Sequence, residues 1–92
     1  MEQITLEEQP LEKLVAAFLT DLAHANRSQH TRHAYATDLA QLYAFYQRPV
    51  NAITVEVLRS FFSTHLHLSP ATRARKQAAV ARFLTWPHQE EV

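Results

Sequence analysis

The chain contains no glycine among its 92 residues. Glycine is the residue that most readily adopts positive φ, which primed hairpin turns and phosphate-binding glycine loops require. Those two kinds of structure are therefore strongly disfavoured. We expect a set of helices whose short joints are made by Asn, Pro, Ser and His.

Four segments have the periodicity of amphipathic helices, at about residues 10–25, 28–47, 54–66 and 69–86. Three of them begin at good N-cap residues, Ser28, Thr54 and Ser69, and Pro70 suits a first helical position. The predicted fold is all-α, a four-helix orthogonal bundle formed by residues 10–86. An acidic leader, residues 1–9, precedes it, and residues 87–92 are expected to begin a linker.

Each predicted helix has one apolar face. In the second helix this stripe consists of Tyr35, Leu39, Leu42 and Tyr46, and in the third of Val57, Leu58, Phe61, Phe62 and Leu66. In the fourth helix Val80, Phe83 and Leu84 form the stripe. Arg75 and Arg82 point the other way, so we expect removal of Arg75 to leave the core intact.

Composition excludes several classes of protein. The chain has no cysteine, so it has neither a disulfide framework nor a thiolate metal site. No apolar run approaches the roughly 18 residues that span a bilayer, and the N-terminus is acidic, unlike a signal or transit peptide. We therefore expect a cytoplasmic protein with no membrane partner.

Metal binding and catalysis are both disfavoured. His30 with His33, and His65 with His67, form pairs, but zinc needs three or four converging ligands and no carboxylate cluster completes either pair. No tyrosine or serine has an evident activating base near it in sequence. We expect no catalytic residue, no metal, no cofactor and no small-molecule substrate.

The zero net charge hides an uneven distribution. Residues 1–25 carry five acidic residues and one lysine, whereas residues 26–89 carry eight cationic and two acidic residues. The densest positive stretch lies in the fourth helix, at Arg73, Arg75, Lys76 and Arg82. Such a stretch forms either a solvated helix face or a phosphate-binding surface.

Three features favour the phosphate-binding interpretation. Ser69 and Thr72 lie in the first turn of the fourth helix, where backbone N–H groups and the helix dipole attract phosphate. Nearby alanines would let a DNA backbone approach closely. The second helix also begins with short polar and basic residues, so two helix starts would form a clamp on duplex DNA; these residues are His30, Thr31, Arg32, His33 and Thr37.

The order and spacing of these motifs resemble a known family. The pattern is Ser28-x-x-Thr31-x-x-x-Tyr35-x-x-Asp38-Leu39, then Ile53-Thr54-x-Glu56-x-Leu58, then Leu68-Ser69-x-x-Thr72-x-x-Arg75, and finally Ala79-Val80-x-x-Phe83. Over about residues 10–86 it is similar to the N-terminal core-binding, SAM-like domain of tyrosine recombinases, the phage-integrase and Xer-type enzymes. Gln77 and Leu42 depart from residues common in that family.

The resemblance implies a DNA-binding module that positions a site-specific recombinase on its recombination site. Its second and fourth helices would enter adjacent grooves of double-stranded DNA. The contacts would fall on His30, Thr31, His33, Thr37, Thr72 and Arg75, with Arg73 and Lys76 meeting phosphates. The family's catalytic residues belong to a further domain, so we expect an excised or truncated product that cleaves nothing by itself, from a parent that oligomerises on DNA.

A second hypothesis stays open from the sequence. A helical protein–protein interaction domain would use Arg75 and Arg82 to meet acidic residues of a partner. Binding to duplex DNA at two salt concentrations distinguishes the two hypotheses, because phosphate contacts release counterions.

Overall fold

The computed structural model describes residues 9–86. Its α-helices are α1 (Leu11–His24), α2 (Gln29–Phe45), α3 (Val55–Ser63) and α4 (Pro70–Thr85), with a short 3-10 turn at Val50–Ala52. Within these residues there are four α-helices and no strand, which confirms the predicted all-α bundle. The predicted leader, apart from Gln9, and the predicted linker at 87–92 lie outside the described residues.

Each of three helices begins at its predicted cap. The side chains of Ser28, Thr54 and Ser69 accept hydrogen bonds from the backbone N–H three residues later, which starts α2, α3 and α4. Pro70 occupies the first turn of α4, where its missing N–H costs nothing. Pro10, by contrast, precedes α1 with an extended backbone and makes no side-chain cap.

The joint between α1 and α2 is made by an asparagine in place of a glycine. Asn26 has φ 61°, the left-handed conformation that asparagine tolerates better than most residues. The N–H of Arg27 donates to the Leu22 carbonyl and that of Asn26 to the Ala23 carbonyl, both at 3.1 Å. These two bonds form a Schellman motif, and Ser28, two residues after Asn26, caps α2.

Two helices end earlier than predicted. α2 ends at Phe45 because Tyr46 has an extended backbone, with its ring buried and its hydroxyl donating to the Pro49 carbonyl. α3 ends at Ser63 because the N–H groups of Thr64 and His65 bond to carbonyls three residues back, tightening the chain. Leu66 is consequently 68% exposed, so its predicted place on the buried face is wrong.

The core lies where α1, α2 and α4 meet. α2 packs against both α1 and α4, and the apolar stripes predicted for these helices face inward. The buried side chains include Leu14, Phe18, Leu39, Leu42, Phe61, Val80 and Phe83, with Tyr35, Leu58 and Leu84 partly buried against them. This packing sets the start of α2 across a surface groove from the middle of α4, at Arg75, Ala78 and Ala79. Among residues 9–86, no helix has both the length and the apolar character needed to cross a bilayer.

Candidate nucleic-acid interface

The starts of α2 and α4 are built in the same way. At α2, the Ser28 hydroxyl accepts from the Thr31 N–H at 3.0 Å and donates to the Thr31 hydroxyl at 2.9 Å. At α4, Ser69 makes the same two contacts with Thr72, at 3.2 and 3.0 Å. An N-cap satisfies one of the four free N–H groups of a helix start, and the others, with the positive end of the dipole, favour an anion.

A groove of about 250 Å³ lies between α2 and α4. From α2 it is lined by His30, Thr31, Ala34, Tyr35 and Asp38, and from α4 by Arg75, Ala78 and Ala79. It therefore brings together three predicted contact residues, His30, Thr31 and Arg75, from segments far apart in sequence. Ala34, Ala78 and Ala79 contribute short side chains to its lining.

A buried carboxylate holds the base of this groove. Asp38 is 2% exposed. Its Oδ2 accepts from Arg75 Nε at 3.1 Å and its Oδ1 from Arg75 Nη2 at 2.9 Å. The same Oδ1 accepts from Lys76 Nζ at 2.9 Å, and Lys76 Nζ also donates to Gln41 Oε1 at 2.8 Å. One anion and two cations thus join α2 to α4.

The pKa of Asp38 lies below its usual 3.8 because of these contacts. Burial by itself would raise the pKa, but the hydrogen bonds and positive charges of Lys76 and Arg75 outweigh that effect. The carboxylate is therefore ionised near neutral pH, which leaves the cluster with one net positive charge.

Lys76 does not sit where a phosphate contact requires it. Only 6% of the residue is exposed, and its ammonium is directed to Asp38 and Gln41. The expectation that Lys76 meets a phosphate does not agree with this burial. Sequence periodicity did not indicate this burial, because Lys76 lies among exposed cationic residues of α4 and its anionic partner, Asp38, lies on another helix.

Arg75 is anchored but still presented to solvent. Its side chain is 57% exposed, and a guanidinium carries five N–H donors. Two of them bond to Asp38 through the Nε and Nη2 atoms, so the edge formed by Nη1 and the second Nη2 proton stays available. Arg75 is therefore not a simple surface residue, and its removal also affects the interhelical ion pair.

A second depression, about 680 Å³, lies on the other side of Arg75. It is bounded by α2, by the α3–α4 joint and by the first turns of α4, and its lining includes Phe45, His65, His67, Thr72 and Arg75. Arg75 therefore forms the ridge between two concave surfaces. Thr72 lines this second surface, and Arg75 separates it from His30 and Thr31 in the first.

The remaining predicted contact residues are more dispersed. Arg73 lines a groove between α3 and α4 rather than the one between α2 and α4. Arg32 and His33 line a depression against Leu19 of α1, and Arg32 Nε donates to the Arg27 carbonyl at 3.2 Å. Thr37 is exposed on α2. In the part of the chain that the structure describes, no three His, Cys, Asp or Glu side chains gather to hold a metal ion.

Comparison with known proteins identifies the family. The model of the phage integrase N-terminal SAM-like domain matches residues 15–91. The chain belongs to this SAM-like domain family. The domain is similar to the protein named tyrosine recombinase XerC from Mycobacterium sp. strain JLS, with 36% identity over 83% of this chain and 28% of the relative. It is also similar to the proteins of that name from Mycobacterium bovis (strain BCG / Pasteur 1173P2) and Mycobacterium tuberculosis (strain ATCC 25177 / H37Ra), each 40% identical over 65% of this chain and 22% of the relative.

The SAM-like domain spans less than a third of the length of these curated relatives. No solved structure gives a significant match. The matched region of the family model contains α2, α3 and α4 complete, and with them both helix starts and the Asp38 cluster.

Buried His65 should make the stability of this SAM-like domain depend on pH. The imidazole is 8% exposed, lies edge-on to Phe61 at 4.7 Å between ring centroids, and its buried Nδ1 has no hydrogen-bond partner in the described chain. Burial lowers the pKa of His65 below the usual 6.5, and the positive charges of Lys76 and His67 lower it further, against the opposing effect of Asp38.

We expect the free energy of unfolding to fall as the pH drops below about 6.5, because the unfolded chain then binds a proton that folded His65 resists. Urea unfolding between about pH 8 and pH 5 measures this slope. His65→Gln should flatten it, whereas His67→Gln at an exposed position should not. An equally steep slope in the His65 variant would show that His65 is not its source.

Proposed function

We propose that this SAM-like domain binds duplex DNA with the starts of α2 and α4 and so positions a recombinase on its recombination site. The observation that carries the proposal is the shared groove, which brings His30 and Thr31 beside the anchored Arg75. The first turn of α2 borders this groove, the first turn of α4 lines the adjoining depression across Arg75, and each helix start favours a phosphate. The relatives' name, tyrosine recombinase, supports the same function.

The proposed contacts are graded by where the structure places each residue. His30, Thr31, Thr72 and Arg75 form the centre of the surface, and Thr37 extends it along α2. Arg32, His33 and Arg73 lie on flanking faces, where they would meet phosphates further along the duplex. Lys76 is buried and would not contact DNA; it would act through its bond to Asp38.

We propose that the domain does not cut DNA itself. The family match concerns the N-terminal SAM-like domain, and strand cleavage and rejoining would be performed by a separate catalytic domain. The parent enzyme would oligomerise on DNA. Incubation with supercoiled plasmid should leave the plasmid intact, and a covalent protein–DNA adduct on this chain would contradict the assignment.

Fluorescence anisotropy with a short labelled duplex tests the DNA-binding function. The titration is run at two salt concentrations, because each phosphate neutralised contributes about −0.9 to the slope of log K against log salt for B-DNA. Salt-dependent binding supports the function. A protein that is folded by circular dichroism and binds no duplex at low salt contradicts it.

Arg75→Ala should weaken duplex binding by about 1–3 kcal/mol if its free edge reads a base, and should lower the salt slope by about one if it meets a phosphate. The unfolding free energy should also fall by about 1–2 kcal/mol, since the Asp38 bonds are charged but half of the side chain is in water. The matched control is Arg48→Ala, with the same charge change at an exposed position. Equal affinities for the two variants would remove Arg75 from the interface.

Contact between two copies of the domain is a second candidate function. Val55 and Leu66 are 60% and 68% exposed and line a groove of about 340 Å³ between α3 and α4. Exposed apolar groups at one site are typical of protein contacts. Sedimentation equilibrium should detect a dimer that Leu66→Asp abolishes; a monomer at every concentration for the unsubstituted chain would contradict this role.

A further inference from the structure

Asp38 has a second cationic partner, Arg75, which neither core packing nor a simple ion pair requires. A carboxylate that is 2% exposed is expensive to bury, and one buried cation would balance its charge. Lys76, itself 6% exposed, already supplies that cation. Arg75 is therefore an additional partner, held by two bonds while most of its side chain faces water.

We propose that Asp38 is a positioning residue for DNA binding, which fixes the Arg75 guanidinium by one edge so that the other edge faces the duplex. This inference rests on the proposed DNA-binding function and names the residue that pre-organises its central contact. A free arginine loses considerable rotamer freedom when it binds. The hydrogen bonds from Nε and Nη2 to Asp38 remove that freedom already in the unbound domain.

Lys76 has the complementary task of balancing charge. Asp38 alone would cancel the charge of Arg75 and repel phosphate. With Lys76 bonded to the same Oδ1 atom at 2.9 Å, the buried pair is neutral and the net positive charge of the cluster resides on exposed Arg75. The arrangement therefore orients the guanidinium without lowering the positive potential at the groove.

A variant of unchanged net charge separates this proposal from simple electrostatics. Removing a carboxylate beside a DNA-binding surface should strengthen binding through charge alone. Asp38→Asn alone leaves Lys76 buried without its anion, so the test uses the charge-balanced pair Asp38→Asn/Lys76→Met. This double variant keeps the net charge of the cluster and replaces two anionic acceptors for Arg75 with one neutral oxygen.

The experiment is a double-mutant cycle on duplex DNA selected from a random pool with the unsubstituted domain. Arg75→Gln should weaken binding about tenfold in the original chain, the range of one good side-chain contact. In the Asp38→Asn/Lys76→Met background it should weaken binding about threefold or less, because the contact is already impaired. The background variant itself should bind more weakly than the original chain despite its equal charge.

Three results would overturn the proposal. An equal loss from Arg75→Gln in both backgrounds shows that Asp38 does not act through Arg75, and leaves the DNA-binding function standing. Unsubstituted protein that binds no selected duplex removes that function and this inference together. A background variant that binds as tightly as the original chain, or more tightly, shows that holding Arg75 on Asp38 does not contribute to DNA binding.

A second measurement covers the case in which the double variant does not fold. In the unsubstituted domain the Arg75 Nε–H should exchange slowly with water, and should stay protected when duplex DNA is added to saturation. Retained protection supports the clamp. Loss of protection on DNA binding means that Arg75 leaves Asp38 to reach the duplex, which overturns the proposal.

Discussion

Phe18→Ala should reduce the free energy of unfolding by about 3–5 kcal/mol, the range for a buried phenylalanine cut back to alanine. Phe18 is 1% exposed. Its ring meets Tyr35 of α2 and Phe83 of α4 at 5.5 Å and Trp86 at 5.3 Å, all edge to face. The substitution therefore opens a cavity where three helices meet. In a domain this small the loss is a large part of a total of about 5–15 kcal/mol.

Phe45→Ala is the matched control for this prediction. Phe45 is 46% exposed, and its ring lies 5.4 Å from that of Phe61. The same truncation there should cost about 1 kcal/mol or less, since little surface is returned to water. Urea unfolding followed by circular dichroism compares the two. Equal losses would contradict the placement of the core around Phe18.

Asp38→Asn should also reduce the free energy of unfolding by about 3–5 kcal/mol, the cost of removing one member of a buried ion pair. The amide leaves the Lys76 ammonium at 6% exposure with a neutral acceptor, Gln41, and without its anion. In the original chain this stabilisation should persist at neutral pH and be lost as the pH falls below about 3.8, because the folded-state pKa of Asp38 is depressed.

Two comparisons define the origin of that loss. Glu12→Gln, an exposed acid in the first turn of α1, should change stability by less than about 1 kcal/mol. Asp38→Asn/Lys76→Met should recover part of what Asp38→Asn loses, because it leaves no buried unpaired charge. A single variant as stable as the double would show that Lys76 is not held by Asp38.

The fold could be predicted from sequence because its signals are local. The caps at Ser28, Thr54 and Ser69 and the apolar stripes depend on residues three or four apart, and they set the helix starts correctly. The helix ends were harder to predict, because the extended backbone of Tyr46 and the tightened turn after Ser63 depend on how side chains pack in the bundle. Leu66 was misplaced for that reason.

The candidate site could be predicted only in part. His30, Thr31 and Arg75 line one groove, but it joins the start of α2 to the middle of α4, and the partner of Arg75 lies 37 residues away in sequence. One signal was available: Asp38 falls on the stripe of Tyr35 and Leu42, where a carboxylate needs a cation. Helix periodicity could not show that Asp38 bonds to both Arg75 and Lys76, because it does not show which sides of α2 and α4 face each other.

Amide chemical-shift mapping with an added duplex tests the DNA-binding surface most directly. Shifts should concentrate at the starts of α2 and α4, at His30, Thr31 and Thr72, and at the Arg75 side chain. The α3 residues Val55 and Arg59 should change little. Shifts confined to the groove between α3 and α4, or none with a folded domain at low salt, would contradict the proposed interface.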